Sequence, residues 1–513
     1  EHQAGRVEQQ AARGGQPARR DAGAERLLDE AVGQRGQVDH DEHDGIPLGL
    51  SARQSIAADL ERDADELLTM TKQCFDEFHR LFDIRYPFGD YHQAFVPEFN
   101  AGAMENPGCV TFRDPLVFTS KVTRGVRIQR ATTVAHEMAH QWFGNITTPR
   151  WWDDLWLNES FAEYMGVRVT AAVTEYDDAW VQNSFARRQW GLVADQRPST
   201  HSVAGNGEED ALAALQNFDG ISYAKGSSIL KQLAARLGDE VFLEGVRDHL
   251  TRHRFGNATM HDLFDSWTRA GAGGFDAFSR EWLVTAGPDR LALDRTAGEL
   301  VRTPPAAHPA DRSHSLRLAV APAGGDWSPV DVEVTGERTP VPVPDGDAVL
   351  IDPWEDSWAA CLADKTTLAL LPDLVTRTED PMLRAGMWNS VRSAFHHARV
   401  APGAVLDLLG DHFTSPVFTA ALELWVAART DADLMAAVGP LEQKVGREVH
   451  RLTVELLGVD ETAPGARELV QATLDLVRGL GLANTITDDR RRREAILDRW
   501  ALTLDATLTG RTP

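Results

Sequence analysis

The run His136-Glu137-Met138-Ala139-His140 puts two imidazoles four residues apart with a carboxylate between them. Four residues is about one helical turn, so on a helix both rings project from one face. That arrangement suits two nitrogen ligands to one Zn²⁺ at about 2.0–2.1 Å. Glu137 is then placed to take a proton from a water at such a site. The pattern arises by chance in roughly 4 of 100 chains of this composition, so a third ligand is needed before it carries weight. Nineteen residues past His140 stands Glu159, in Trp156-Leu157-Asn158-Glu159-Ser160. A turn after Asn145 and a return through Trp151-Trp152 let a second helix begin near Leu155, with its first turn against the first. Glu159 is the candidate third ligand of a His-His-Glu set that leaves one position open, as a catalytic zinc requires. The competing reading of Glu159 is an acid favoured by the macrodipole at a helix N-terminus.

The elements that must hold these groups follow from periodicity. Ile46–Leu50 reads as a short strand, Ala57–Asp83 as a long amphipathic helix, and Tyr91–Val96 and Cys109–Phe112 as strands around the loop Pro97–Gly108. Val122–Asn145 and Trp156–Val173 read as helices, followed by helical patterns near 176–194, 222–237, 239–253, 260–271 and 276–286. After Gly287 the period changes to two, at Ser315–Val320, Val330–Val334 and Ala348–Ile351, with Pro and Gly between the runs. This predicts a small antiparallel β domain over 288–363. From Thr366 the chain reads as Leu- and Ala-rich helices, a solenoid-like array over 364–513. Residues 1–43 have no aromatic side chain and are rich in Gln, Arg, Gly, Ala and Asp. They read as disordered, apart from a helical stretch near Ala22–Val32.

Composition bounds the function. At about 150 residues per domain, 513 residues predict about three domains. Lys plus Arg number 52 against 77 Asp plus Glu, a net charge of −25. A chain this acidic is a poor partner for nucleic acid or an anionic membrane surface, and it has no run of apolar residues long enough to span a bilayer. Three cysteines without a C-x-x-C pair point to a reducing compartment, and the expected location is cytoplasmic.

Gly102-Ala103-Met104-Glu105-Asn106, followed by the H-E-x-x-H run and Glu159, resembles the aminopeptidase N family of zinc metallo-aminopeptidases, whose signature pairs G-A-M-E-N with H-E-x-x-H-x18-E. Gln141–Asn145, Trp151–Asp154 and Asn217–Gly226 extend the likeness, and His43–Leu48 looks most like actinobacterial members. The resemblance covers 44–287 strongly and the rest more weakly. It implies an α+β multidomain fold: a thermolysin-like catalytic domain of mixed sheet plus helices over 44–287, a small β-sandwich domain over 288–363 and a C-terminal α-helical domain over 364–513. The family's N-terminal β domain has no counterpart in residues 1–43, which match no family segment.

Residue by residue, His136, His140 and Glu159 match the zinc ligands, one Zn²⁺ per chain, and Glu137 the general base. Glu105 matches the carboxylate that binds the substrate α-amine, and Tyr223 the phenol that stabilises the oxyanion. Gly102, Ala103, Met104 and Asn106 complete the substrate-binding run. The implied substrates are peptides with a free N-terminus, and a monomer is expected. Two other readings stay open: an inactive remnant or peptide-binding scaffold of the same family, and a thermolysin-like endopeptidase, which has no need of an amine anchor at Glu105. Asp153 or Asp154 is a candidate for orienting a ligand histidine. Trp142, Phe143, Trp151, Trp152 and Trp156 read as core.

Overall fold

The structure is a computed structural model that describes residues 39–207, 210–322, 324–396, 416–457, 463–485 and 489–509, with isolated positions at 403–414, 459 and 461. It is a mixed α and β architecture that divides into two compact units. The first runs to Asp289 and takes in Pro304–Ser315 and Glu355–Ala359; the second holds Arg290–Thr303, Leu316–Trp354 and the chain from Ala360.

In the first unit, five strands form one sheet in the order β1-β2-β3-β5-β4: β1 (Asp39–His43), β2 (Ile46–Ala52), β3 (Tyr91–Val96), β5 (Cys109–Arg113) and β4 (Ala103–Met104). β2, β3 and β5 run parallel, and β1 and β4 run antiparallel to their neighbours. β2 is buried along nearly its whole length, as a covered parallel strand must be. Helix α1 (Ala57–Phe82) covers the sheet with Leu60, Leu67, Cys74, Phe75 and Phe78.

One departure from the sequence reading concerns the start of this unit. Asp39–His43, expected to be disordered with the rest of 1–43, forms β1 in register with β2. The cause is the Asp44-Gly45 pair, both at positive φ (52° and 77°), which closes a two-residue hairpin. The remainder of that segment, including the helical stretch near Ala22–Val32, lies outside the described residues.

Helix α2 (Arg124–Ala139) carries the H-E-x-x-H run. The buried Arg130 ties α2 to α1: it pairs with Asp63 and with Glu66 at 2.9 Å, and its guanidinium stands 3.9 Å over the Phe118 ring. α2 ends at Ala139, six residues before the expected end at Asn145, and His140 caps it in helical geometry. Helix α3 (Trp156–Val173) is buried almost all round, so its sequence shows no polar face. It approaches α2 closely at Gly166, where an added Cβ would stand 3.1 Å from backbone atoms of Thr132 and His136. That approach brings the first turn of α3 against the two histidines.

The helical pattern near 176–194 is two helices, α4 (Ala179–Phe185) and α5 (Arg187–Asp195), broken at Ala186. The pattern near 222–237 opens with a π-turn, Ile221–Lys225, before α6 (Gly226–Leu237). Trp142, Phe143 and Trp156 are core, whereas Trp151 is half exposed. Flanked by Arg150 on a turn, Trp151 lies where the chain leaves the core rather than inside it.

The second unit contains two sheets built from strands between Asp289 and Leu362: one in the order Ser328–Val334, His314–Ala321, Ala348–Ile351, the other in the order Arg338–Pro340, Glu299–Thr303, Asp289–Asp294, Ala359–Leu362. The strands at Asp289–Asp294, Glu299–Thr303 and Ala359–Leu362 were not legible as alternating runs. Ala319, Ala321, Ala348 and Leu350 pack with Leu371, Leu374, Leu383 and Met387, so strands and the two following helices share a core. Helices then follow at Pro416–Ala428, Ala432–Leu457, Ala466–Asn484 and Arg490–Thr509. Among the described residues no helix is long and apolar enough to cross a membrane.

Candidate active site

Three side chains from two helices meet. His136 Nε2 and His140 Nε2, one turn apart, are 3.0 Å from each other. Glu159 Oε2, from the first turn of α3, is 3.6 Å from the first and 3.4 Å from the second. Four ligands at about 2.0–2.1 Å around a tetrahedral zinc would stand about 3.3 Å apart, so the triangle has the right size. Glu159 Oε2 is buried and has no hydrogen-bond partner, an oxygen left for something other than protein to satisfy. Among the described residues these three form a group able to hold a metal ion.

The histidines are oriented from behind. His140 Nδ1 lies 3.0 Å from the Phe143 carbonyl and 2.8 Å from Asn158 Oδ1. A carbonyl only accepts, so Nδ1 carries the proton and Nε2 faces the cluster. His136 Nδ1 stands 3.5 Å from the carboxylate of Glu163, one turn beyond Glu159 on α3. This corrects the expectation for Asp153 and Asp154. Asp153 accepts from the Gly207 backbone and Asp154 from that of Met260; the acid beside His136 Nδ1 is Glu163. Asn158 and Glu163 were missed, although an acid in the middle of a helix as apolar as α3 is itself a signal that it has partners.

Acidic groups crowd this centre. Burial pushes the Glu137 carboxyl well above its usual range, helped by Glu105 and Glu159 and opposed by His140. Burial opposes charge on His140 too, but Glu105, Glu159 and Glu137 hold its imidazole well above the ordinary value. Glu159 is buried, yet the two histidines keep its carboxyl below the usual range. Such a concentration of carboxylates around imidazoles favours a bound cation.

The G-A-M-E-N run sits at the sheet edge. Ala103 pairs with Phe112 and Met104 with Thr111, and β4 is the last strand in the order. Gly102 O accepts from Arg113 N at 3.2 Å, and Asn106 donates to Thr111 Oγ1 at 3.3 Å. The Glu105 carbonyl accepts from Gln141 Nε2 at 3.2 Å and from Asn145 Nδ2 at 2.8 Å, which fixes this loop to the end of α2. Its carboxylate lies 3.8 Å from His140 Nδ1 and 3.5 Å from Asn158 Nδ2.

Tyr223 lies on the π-turn, with its ring stacked on that of His136 at 5.9 Å and 12°. Burial, then the nearby Glu159, pushes its phenol far above the usual range. The turn is held by Asp219, whose Oδ1 accepts from Ile221 N and Ser222 N, and by Ser160 Oγ, which donates to Ser222 O at 2.6 Å. The sequence-predicted His136, Glu137, His140, Glu159, Glu105 and Tyr223 thus lie around one centre.

Residues 67–282 match the peptidase family M1 domain. This segment is a peptidase family M1 domain. The chain is 37% identical over 395 residues to an aminopeptidase N of Streptomyces lividans, covering 72% of this chain and 46% of that protein. It is 32% identical over 306 residues to an aminopeptidase N of Lactococcus lactis, covering 58% and 35%. It is 34% identical over 223 residues to a leucyl aminopeptidase of Saccharolobus solfataricus, covering 43% and 28%. The chain spans less than half the length of each of these relatives. The M1 domain contains every residue of the cluster and the G-A-M-E-N strand.

Proposed function

We propose that the chain is a zinc-dependent aminopeptidase that hydrolyses the N-terminal peptide bond of peptides with a free α-amine. The observation that carries this reading is the convergence of His136 Nε2, His140 Nε2 and Glu159 Oε2 within 3.6 Å of one another, beside the buried Glu137 and the Glu105 that follows the edge strand. His136, His140 and Glu159 would hold one Zn²⁺. Bound there, zinc supplies Lewis acidity and lowers the pKa of a water to about 7.

The chain's own residues do the rest. The substrate backbone adds to the free edge of β4 at Gly102 and Ala103, with Met104 and Asn106 shaping the turn beside it. Glu105 pairs with the substrate ammonium by a charge-assisted hydrogen bond, which fixes the count from the N-terminus. Glu137 takes the proton of the attacking water and passes it to the leaving amine. Tyr223 donates its phenol hydrogen to the oxygen that gains negative charge. In domain terms, 44–287 is the catalytic unit, with 288–363 as a β-sandwich domain and 364–513 as the helical domain. The protein acts as a monomer in the cytoplasm, on peptides rather than nucleic acid or membrane.

The test is a matched pair of peptides, one with a free and one with an acetylated N-terminus. Cleavage of the first bond of the free peptide only supports the reading. Equal cleavage of both, or cleavage at internal bonds, points to the endopeptidase instead.

A further inference from the structure

Four side chains around the cluster form a closed circuit. Arg187, the first residue of α5, donates from Nε to Glu163 Oε1 at 2.6 Å and from Nη2 to Glu163 Oε2 at 2.9 Å. Glu163 Oε2 stands 3.5 Å from His136 Nδ1. The His136 ring stacks on Tyr223. The Arg187 guanidinium lies 5.7 Å from the Tyr223 ring centroid and 4.5 Å from that of Trp190. A planar fork is suited to this position because it grips a carboxylate with two bonds while its face meets aromatic rings. The helix break at Ala186 allows α5 to start afresh with Arg187 in place.

Resting on the aminopeptidase reading, we infer that Arg187 is a positioning residue which holds the ligand His136 and the oxyanion donor Tyr223 in register through one guanidinium. Through Glu163 it fixes the tautomer and rotation of His136. Through its face it fixes the Tyr223 ring, which sits on a π-turn, a feature frequent at functional sites. Removal of either restraint lowers a different quantity: metal affinity for the first, the rate at saturating metal for the second.

The test uses the full chain with Arg187→Gln and Arg187→Lys, each alone and combined with Tyr223→Phe. Zinc affinity is read by competition with a chelating dye, with no substrate present. Both variants are expected to bind zinc about 10-fold more weakly, as outer partners of metal ligands do. Glu163→Gln should reproduce that loss. At saturating zinc, kcat should fall about 10- to 100-fold with KM within about twofold, and this loss should shrink to about threefold or less in the Tyr223→Phe background. Arg187→Lys keeps the charge without the fork, so it guards against a variant that merely unfolds. Zinc affinity and kcat within about twofold of the parent in either Arg187 variant would overturn the inference, as would an equal kcat loss with and without the Tyr223 phenol. The zinc measurement does not depend on turnover, so failure of the positioning claim is separable from failure of the aminopeptidase reading, which the free and acetylated peptides judge.

Discussion

Asn158 Oδ1 stands 2.8 Å from Nδ1 of His140. The contact joins the two helices of the cluster at the residue that precedes Glu159, and it leaves the Asn158 amide group facing Glu105 Oε1 at 3.5 Å. One carboxamide therefore touches a candidate metal ligand and the candidate amine anchor. The distance from the candidate anchor to the cluster is set by hydrogen bonds that tie the Glu105 loop to the end of α2 and the start of α3. A fixed distance is what an exopeptidase needs in order to count one residue.

Glu105→Gln should weaken recognition of the amine. A hydrogen bond to a charged group contributes about 1.5–3 kcal/mol, so kcat/KM for an aminoacyl-arylamide should fall about 10- to 150-fold, with metal content unchanged. Steady-state kinetics on unblocked substrates checks this, and an unchanged kcat/KM would remove Glu105 from the site.

Tyr223→Phe should act on the rate. Loss of one oxyanion donor costs about 100- to 1,000-fold in kcat, with little change in KM. The ring stacking on His136 is retained in Phe, so zinc content should hold. A change in KM alone would place the phenol on the bound substrate rather than on the developing charge.

Lys225, which ends the π-turn, is fully buried and pairs with Asp195 at 3.0–3.1 Å. Asp195 also accepts from Thr200 Oγ1, Gly287 N and Trp358 Nε1. Asp195→Ala leaves the buried ammonium without its partner, so stability should fall by about 3–5 kcal/mol. Denaturant unfolding gives the value. A loss under about 1 kcal/mol would mean that the pair does not hold the turn that presents Tyr223.

His201 Nε2 faces Asp219, the acid that caps the π-turn, at 3.3 Å. Burial opposes its charge, but Asp219 and the Ser202 carbonyl outweigh that and hold the imidazole above its ordinary value. A raised folded pKa means that the stabilisation is complete below about pH 6.5 and is lost as pH rises through the folded value. The difference in melting temperature between parent and His201→Gln should therefore shrink as pH is raised from 6 towards 9. A difference that grows over that range would contradict the pairing.

Much of the site was legible because its chemistry depends on local spacing. H-E-x-x-H works only on a helix, Glu159 only in the next helix's first turn, and both expectations hold in α2 and α3. The parallel strands were legible from their apolar runs. What escaped depends on long-range contact or backbone irregularity. Glu163 and Arg187 are 24 residues apart and meet only after the break at Ala186. The π-turn under Tyr223 has the composition of an ordinary helix start. β1 is made of charged residues and exists because Asp44-Gly45 closes a hairpin onto β2, so its pairing is in the turn and not in the strand.

In the proposed reaction His136, His140 and Glu159 hold one zinc and Glu137 moves the proton. Elemental analysis of the purified chain, with an aminoacyl-arylamide assay on the same sample and on Glu137→Gln, tests it most directly. About one zinc per chain is expected in both proteins, as a three-ligand catalytic site requires. Turnover is expected in the parent, with a loss of about 100- to 10,000-fold in the variant. Zinc-free protein with intact secondary structure, or a Glu137→Gln variant as active as its parent, would contradict it.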